Sequence, residues 1–271
     1  MRRRIALASQ KGGVGKTTIC LNLAVALAES QRRTLLVDLD PQGGIGLSLL
    51  KGETEWTGLA ELLMGETTLD KAVVQTKLPN LAIMPRGRLD PVDVCEYERA
   101  LMVPGVIDGV LSQLDQDYPT IIIDTPSGVG MITRAVLDAI DFIVVPSQAQ
   151  HLALRSVSQI LRVIEHVRST SNPNLELLGI LPTMVELRHD SSVNVMTEMW
   201  TGFSGIMDTI IPKSDIFPKA SEEGLPLGFL GGRTPPEVSR FGMLASEIEA
   251  RIARIGKDTG DADERPRREL I

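Results

Sequence analysis

Aromatic residues are scarce, 3% of the 271-residue chain. That is too few for the stacked aromatic platforms that hold single-stranded nucleic acid. Cysteine is nearly absent. Cys20 and Cys95 lie in no CxxC pair, and two thiols cannot by themselves build a four-thiolate metal site. Both read as small buried apolar residues of a reducing compartment. No apolar run approaches the ~20 residues of a membrane span. The basic start, Met1-Arg2-Arg3-Arg4, runs into a short strand pattern and a glycine loop, not into the apolar region of a signal peptide. These absences predict a cytoplasmic protein with an exposed Met1–Arg4 run. Net positive charge is missing too: the formal charge is −7. An evenly basic nucleic-acid binder is thereby excluded, whereas a local basic patch is not.

What is present is a full core, with 43% hydrophobic and 23% charged residues. Apolar, β-branched runs alternate with helical patterns. Strands are expected at Arg4–Ala8, Thr34–Asp38, Leu81–Pro85, Thr120–Asp124, Phe142–Pro146 and Leu177–Leu181. Helices are expected at Lys16–Glu29, Pro91–Gln116 with a break near Pro104-Gly105, Met131–Ile140, Leu152–Ser169, Ser192–Thr201, Ile216–Glu222 and Pro236–Ile255. Continuous apolar strands between helices imply an α/β fold, a mostly parallel central sheet with helices on both faces. There is no internal repeat and no long linker. The division expected is one domain over residues 1–256 and a charged, disordered tail over 257–271.

Lys11-Gly12-Gly13-Val14-Gly15-Lys16-Thr17-Thr18 follows a strand and opens a helix, the setting of a phosphate loop. Glycine allows tight turns and close approach, and the loop N–H groups and helix N-terminus face the anion. Lys16 is expected to pair with the β- and γ-phosphates and Thr17 to bind Mg²⁺. A second strand ends in Asp38-Leu39-Asp40-Pro41-Gln42-Gly43. Alternation along it points Asp38 and Asp40 to one side, at the strand end where ligands bind. A third strand, Ile121-Ile122-Ile123, runs into Asp124, a Walker B form in which Asp124 holds Mg²⁺. No guanine-reading NKxD motif occurs, which favours ATP over GTP.

The loop departs from G-x-x-x-x-G-K-[ST]. Gln10 stands at the first glycine position and Lys11 adds a second lysine. Here the chain resembles the ParA/MinD family of deviant Walker A ATPases, with KGGxGK[ST] at 11–17, DxDPQG at 38–43 and Asp124-Thr125-Pro126. Ser127 replaces that family's second proline. Val144-Val145-Pro146 with Ala153-Leu154-Arg155, and Ile211-Pro212-Lys213 with Lys219-Ala220-Ser221, match later family segments, so the resemblance spans about residues 4–255. It implies a P-loop ATPase that forms an ATP-sandwich homodimer, with Lys11 reaching the partner's phosphates, Asp40 orienting or activating the attacking water and Asp38 supporting the Mg²⁺ shell. It also implies that Gly128-Val129-Gly130 lies near the γ-phosphate or dimer face and that adenine rests against the Thr183/Met184 and Ile211/Pro212 loops.

ParA-like members bind DNA without sequence preference and release it when a ParB-like or cargo-adaptor partner stimulates slow hydrolysis. They segregate chromosomes or plasmids, or position protein assemblies on the nucleoid. Arg155, Arg162, Arg168, Arg188, Lys213 and Lys219 are candidate phosphate contacts, with Arg188, Lys213 and Lys219 in the late region the resemblance favours. No helix-turn-helix segment precedes the loop, so the short, Soj-like form is expected. MinD-like members bind membranes through a C-terminal amphipathic helix and regulate division or an envelope machine. That alternative stays open, although Pro266 and the acidic residues near the end spoil such a helix. An iron–sulfur reductase sharing the loop needs cysteines at other spacings.

Overall fold

The computed structural model of the protein describes residues 2–49, 56–186 and 190–258. Its strands are β1 (Arg3–Leu7), β2 (Thr34–Asp38), β3 (Val74–Gln75), β4 (Leu81–Met84), β5 (Thr120–Asp124), β6 (Phe142–Gln148) and β7 (Glu176–Thr183). They form one sheet in the order β3-β4-β2-β5-β1-β6-β7. All neighbours are parallel except β3 against β4.

Strand alternation divides the core into two layers. Ala6, Leu35, Val37, Ile121 and Ile123 face one layer. Ile5, Leu7, Leu36 and Ile122 face the other. The first layer is closed by α3 (Leu59–Leu63), α4 (Val94–Leu101), α5 (Val106–Leu114), α6 (Met131–Ala139), α7 (His151–Thr170) and α8 (Asp190–Gly202). The second is closed by α1 (Lys16–Glu29), α2 (Gly44–Leu49), α9 (Ile216–Glu223) and α10 (Val238–Asp258). Helices therefore cover both faces, as the apolar strands require. Helix α1 packs against α10 as well as the sheet, so it is buried nearly all round.

The helical stretch expected over Pro91–Gln116 breaks where expected, at Pro104-Gly105, into α4 and α5, with Gly105 at φ 81°. Elsewhere the structure differs from the sequence expectation. The short elements β3, α2 and α3 carry too few residues to show a period. Strand β6 runs two residues beyond Pro146, to Gln148. Arg4 is not exposed. It lies on the central strand between β5 and β6 and is fully buried. Its guanidinium donates to Asp108 at 2.6 Å, Asp115 at 2.6 Å, Ser112 Oγ at 2.8 Å and the Ala139 carbonyl at 2.8 Å. Arg3 is half-buried against Glu249. Of the two cysteines, Cys20 is buried in α1, but Cys95 is exposed on α4.

No helix among the described residues is long and apolar enough to cross a membrane. Helix α10 runs to Asp258. The rest of the expected tail lies outside the described residues.

Candidate nucleotide site

Strands β2, β5, β1 and β6 end side by side, and the segment after β1 turns across their carboxyl ends into α1. Gly13 at φ 71° and Gly15 at φ 90° occupy the left-handed region that favours glycine. Gly12 lies against Ser127, where a Cβ would stand 3.4 Å from the hydroxyl oxygen. Val14 is buried beneath the loop, and Thr18 sits in the first turn of α1, its carbonyl accepting from Asn22 Nδ2 at 2.8 Å.

Lys16 is buried and donates to Ser127 Oγ at 2.9 Å. Thr17 Oγ1 donates to Asp124 Oδ2 at 2.6 Å. Cys20 Sγ lies 3.8 Å from the other Asp124 oxygen. The loop after Asp124 returns to the phosphate loop, with the Gly128 N–H donating to the Ser9 carbonyl at 2.9 Å.

The β2–β5 register sets Asp38 directly opposite Asp124, and both carboxylates are fully buried. Burial, then the Asp124 charge, pushes Asp38 up to about 8, against the Ile45 and Asp40 N–H groups that stabilise its charge. Burial likewise raises Asp124 to about 6, although the Thr17 hydroxyl and Lys16 oppose it. Such a pair favours a divalent cation beside it. No cluster of three His, Cys or acidic side chains capable of holding a metal occurs among the described residues. Magnesium nonetheless fits this donor set, because it is held by one or two carboxylates and completed by substrate phosphates and water. Thr17 and Asp124 are the residues that would hold it. The two oxygens of Asp38 already accept from Asp40 N at 3.1 Å and Ile45 N at 3.0 Å. Asp38 thus ties down the following turn and the start of α2 from beside the cation position.

Asp40 lies past the end of β2, so strand alternation does not aim it. A turn does: the Gly43 N–H donates to the Asp40 carbonyl at 2.9 Å, and the Gln42 N–H to Asp40 Oδ1 at 2.9 Å.

Lys11 reaches to the end of β6. Its Nζ donates to Gln148 Oε1 at 2.8 Å and Gln150 Oε1 at 3.0 Å. Gln148 Nε2 in turn donates to the Gly13 carbonyl at 2.8 Å and meets Met184 Sδ at 3.2 Å. Met184 holds a left-handed φ of 52° at the end of β7. The Val185 N–H donates to the Ile211 carbonyl at 3.2 Å, bridging this segment to Pro212. Pro212 is thus bridged to Val185, the residue after Met184, while Met184 itself meets Gln148, which bonds the phosphate loop.

The basic candidates are less gathered. Lys213 Nζ pairs with Glu186 at 2.5 Å, and Lys219 with Glu223 at 3.9 Å. Arg168 is tied to Glu176 and the Leu175 carbonyl. Arg155 and Arg162 are exposed on α7. Arg188 lies outside the described residues. Sequence reasoning missed Ser127 as the acceptor for Lys16, and Gln148 and Gln150 as the acceptors for Lys11. The signal for Gln148 was its place just past an apolar strand, where side chains face a ligand.

A family model described as an AAA domain matches residues 2–177. The chromosome partitioning protein ParA of Caulobacter vibrioides is 34% identical over 231 residues, covering 83% of this chain and 86% of that protein. The chromosome-partitioning ATPase Soj of Thermus thermophilus is 34% identical over 260 residues, covering 92% and 96%. Among solved structures, a cobyrinic acid a,c-diamide synthase from Mycobacterium smegmatis with bound ATP analogue and magnesium superposes with TM-score 0.75 at 32% identity, covering 91% of this chain and 93% of that one. The fold is that of a P-loop NTPase, and the chain belongs to the AAA-domain family that includes the ParA and Soj chromosome-partitioning ATPases.

Proposed function

We propose that this protein is an ATP hydrolase of the partitioning type: it dimerises on ATP, binds DNA without sequence preference, and segregates DNA or positions a cargo as a partner stimulates slow hydrolysis. The observation that carries the reading is the pair of lysines in one loop with opposite aims. Lys16 is directed to Ser127 inside the site, while Lys11 is held at its rim by Gln148 and Gln150. A rim lysine whose side-chain partners among the described residues are neutral amides is free to exchange them for a phosphate presented by a second copy. The ParA and Soj relatives support the partitioning role.

In this reading Lys16 and the loop N–H groups hold the β- and γ-phosphates. Thr17 and Asp124 would hold magnesium, which would supply neutralising charge at the phosphates. Asp40 orients the attacking water. Lys11 of the partner protomer stabilises charge developing in the transition state, as a finger supplied in trans. Met184 and Pro212 flank the adenine. Arg188, Lys213 and Lys219 contact DNA phosphates, Lys213 and Lys219 exchanging their glutamate partners for the backbone. The protein is cytoplasmic and nucleoid-associated.

The test is fluorescence anisotropy of a random-sequence duplex titrated with the protein in ATP–Mg²⁺ and in ADP–Mg²⁺. Binding is expected with ATP only, and it weakens steeply with salt. The Arg188→Ala, Lys213→Ala double variant should bind less and show a flatter salt slope. Absence of binding in both nucleotides overturns the DNA reading and directs the search to lipid vesicles.

A further inference from the structure

We propose that Arg86 is the positioning residue for Asp40. Arg86 follows β4, the strand beside β2, and its side chain crosses onto the turn that carries Asp40. Arg86 Nη1 donates to the Pro41 carbonyl at 2.7 Å, and Nε to the Gly87 carbonyl at 3.0 Å. The guanidinium also covers Gly43 closely. A Cβ there would stand 2.9 Å from Arg86 Cζ and 3.0 Å from Nε, and Gly43 holds φ 64°. One cation thus grips both ends of the three-residue turn after Asp40. The turn is also restrained by the bonds from Gly43 N and Gln42 N to Asp40 itself and, from the β2 side, by Asp38 accepting from Asp40 N and Ile45 N.

The backbone bearing Arg86 is itself anchored. The Ala60 N–H donates to the Arg86 carbonyl at 2.7 Å, and the Leu59 N–H to the Pro85 carbonyl at 2.9 Å. Buried Glu61 accepts from Gly58 N at 2.9 Å and Arg88 N at 3.1 Å, closing the loop on the other side. Beneath it, Tyr97 is fully buried, and its hydroxyl meets no partner among the described residues. Burial, and then the Asp38 charge, raises that phenol, with Arg86 opposing. Arg86 itself is half-buried, so its bond to the buried Pro41 carbonyl is partly shielded from water and stronger than a fully solvated one.

The inference rests on Asp40 orienting the attacking water. A carboxylate that positions water is sensitive to displacements of about an ångström, which cost on the order of 100-fold in rate. Losing Arg86 frees the turn without touching the phosphate loop, so nucleotide affinity should persist while the chemical step fails.

The experiment compares wild type, Asp40→Ala, Arg86→Ala, Arg86→Lys and Gly43→Ala as full chains. It measures single-turnover hydrolysis of radiolabelled ATP and, separately, affinity for a fluorescent ATP analogue. Arg86→Ala is expected to lose about 10- to 100-fold in rate with affinity unchanged, and to recover part of the rate when millimolar guanidinium is added. Arg86→Lys should recover less than native rate, since an ammonium cannot both bond Pro41 and cover Gly43. Gly43→Ala should lose rate in the native background and little more in Arg86→Ala, a coupling that a general loss of stability does not produce. A native rate in Arg86→Ala beside an inactive Asp40→Ala overturns the inference alone. Rate and affinity falling together in both Arg86 variants overturns it as well. A native rate in Asp40→Ala overturns the reading of Asp40 and the inference with it.

Discussion

Arg4 shows how far one residue's setting departs from its type. An arginine in a basic run at a chain start reads as a solvated charge, yet this one is fully buried with donors engaged by Asp108, Asp115, Ser112 and Ala139. The reason is that β1 is a central strand, so its first side chains leave water when β5 and β6 close on either side. A buried guanidinium is tolerated only if nearly every donor is matched. Removing it leaves Asp115, which is 14% exposed, with Arg2 as its one remaining cation among the described residues. Arg4→Ala is expected to cost about 3 kcal/mol, seen as a lower midpoint in urea unfolding with an unchanged slope. Cys95 makes the same point in reverse: a residue type usually buried lies exposed because α4 turns that position outward.

At the scale of elements, the short ones decide where the site's loops go. Helix α3 is five residues long and would not form alone in water. It is held by the bonds from Gly58 and Arg88 to Glu61. Burial pushes the Glu61 carboxyl up, but those N–H groups and the Arg88 guanidinium outweigh it, so Glu61 sits below its ordinary value. For an acid lowered on folding, the stabilisation is whole above the unfolded pKa of about 4.3 and is lost as pH falls through the lower folded value. Glu61→Gln should therefore be less stable than wild type by a constant amount from pH 6 to 8. The gap should close below about pH 4.3 in paired urea titrations. A gap independent of pH throughout would assign the loss to shape instead of charge. Neither α3 nor β3 was legible in the sequence, because two to five residues cannot display a period. Helix α1 and the five-residue strands β2 and β5 were legible to the residue, because each is an apolar run bounded by a sharp change to charged or glycine positions, and a strand shows its pattern in fewer residues than a helix does.

At the scale of the whole molecule, the sheet order brings together residues from distant parts of the chain. The strand ends carrying Asp38, Asp124, the phosphate loop and Gln148 are neighbours only because β5 and β1 lie between β2 and β6. This arrangement separates the two lysines, and their variants should separate accordingly. Lys16→Gln is expected to weaken ATP binding by about 10- to 100-fold, the worth of a charge-assisted contact. Lys11→Ala should bind ATP as wild type does but stay monomeric in ATP–Mg²⁺ by analytical ultracentrifugation. A Lys11→Ala dimer of native strength would remove the trans role and leave Lys11 as a partner of Gln148 and Gln150 alone.

The sequence by itself determined the α/β class, the phosphate loop, the strand-end carboxylates and the ParA-like resemblance. Those are local facts: glycine spacing, β-branched runs and a lysine before a helix carry their physics within a few residues. Only the tertiary structure decided that Arg4 is interior, that Asp38 spends both oxygens on its own loop, that Lys11 rests on two glutamines, and that Arg86 grips the Asp40 turn. Each of these joins segments far apart in sequence through parallel register and crossover helices, and no local pattern encodes which strand ends will lie side by side.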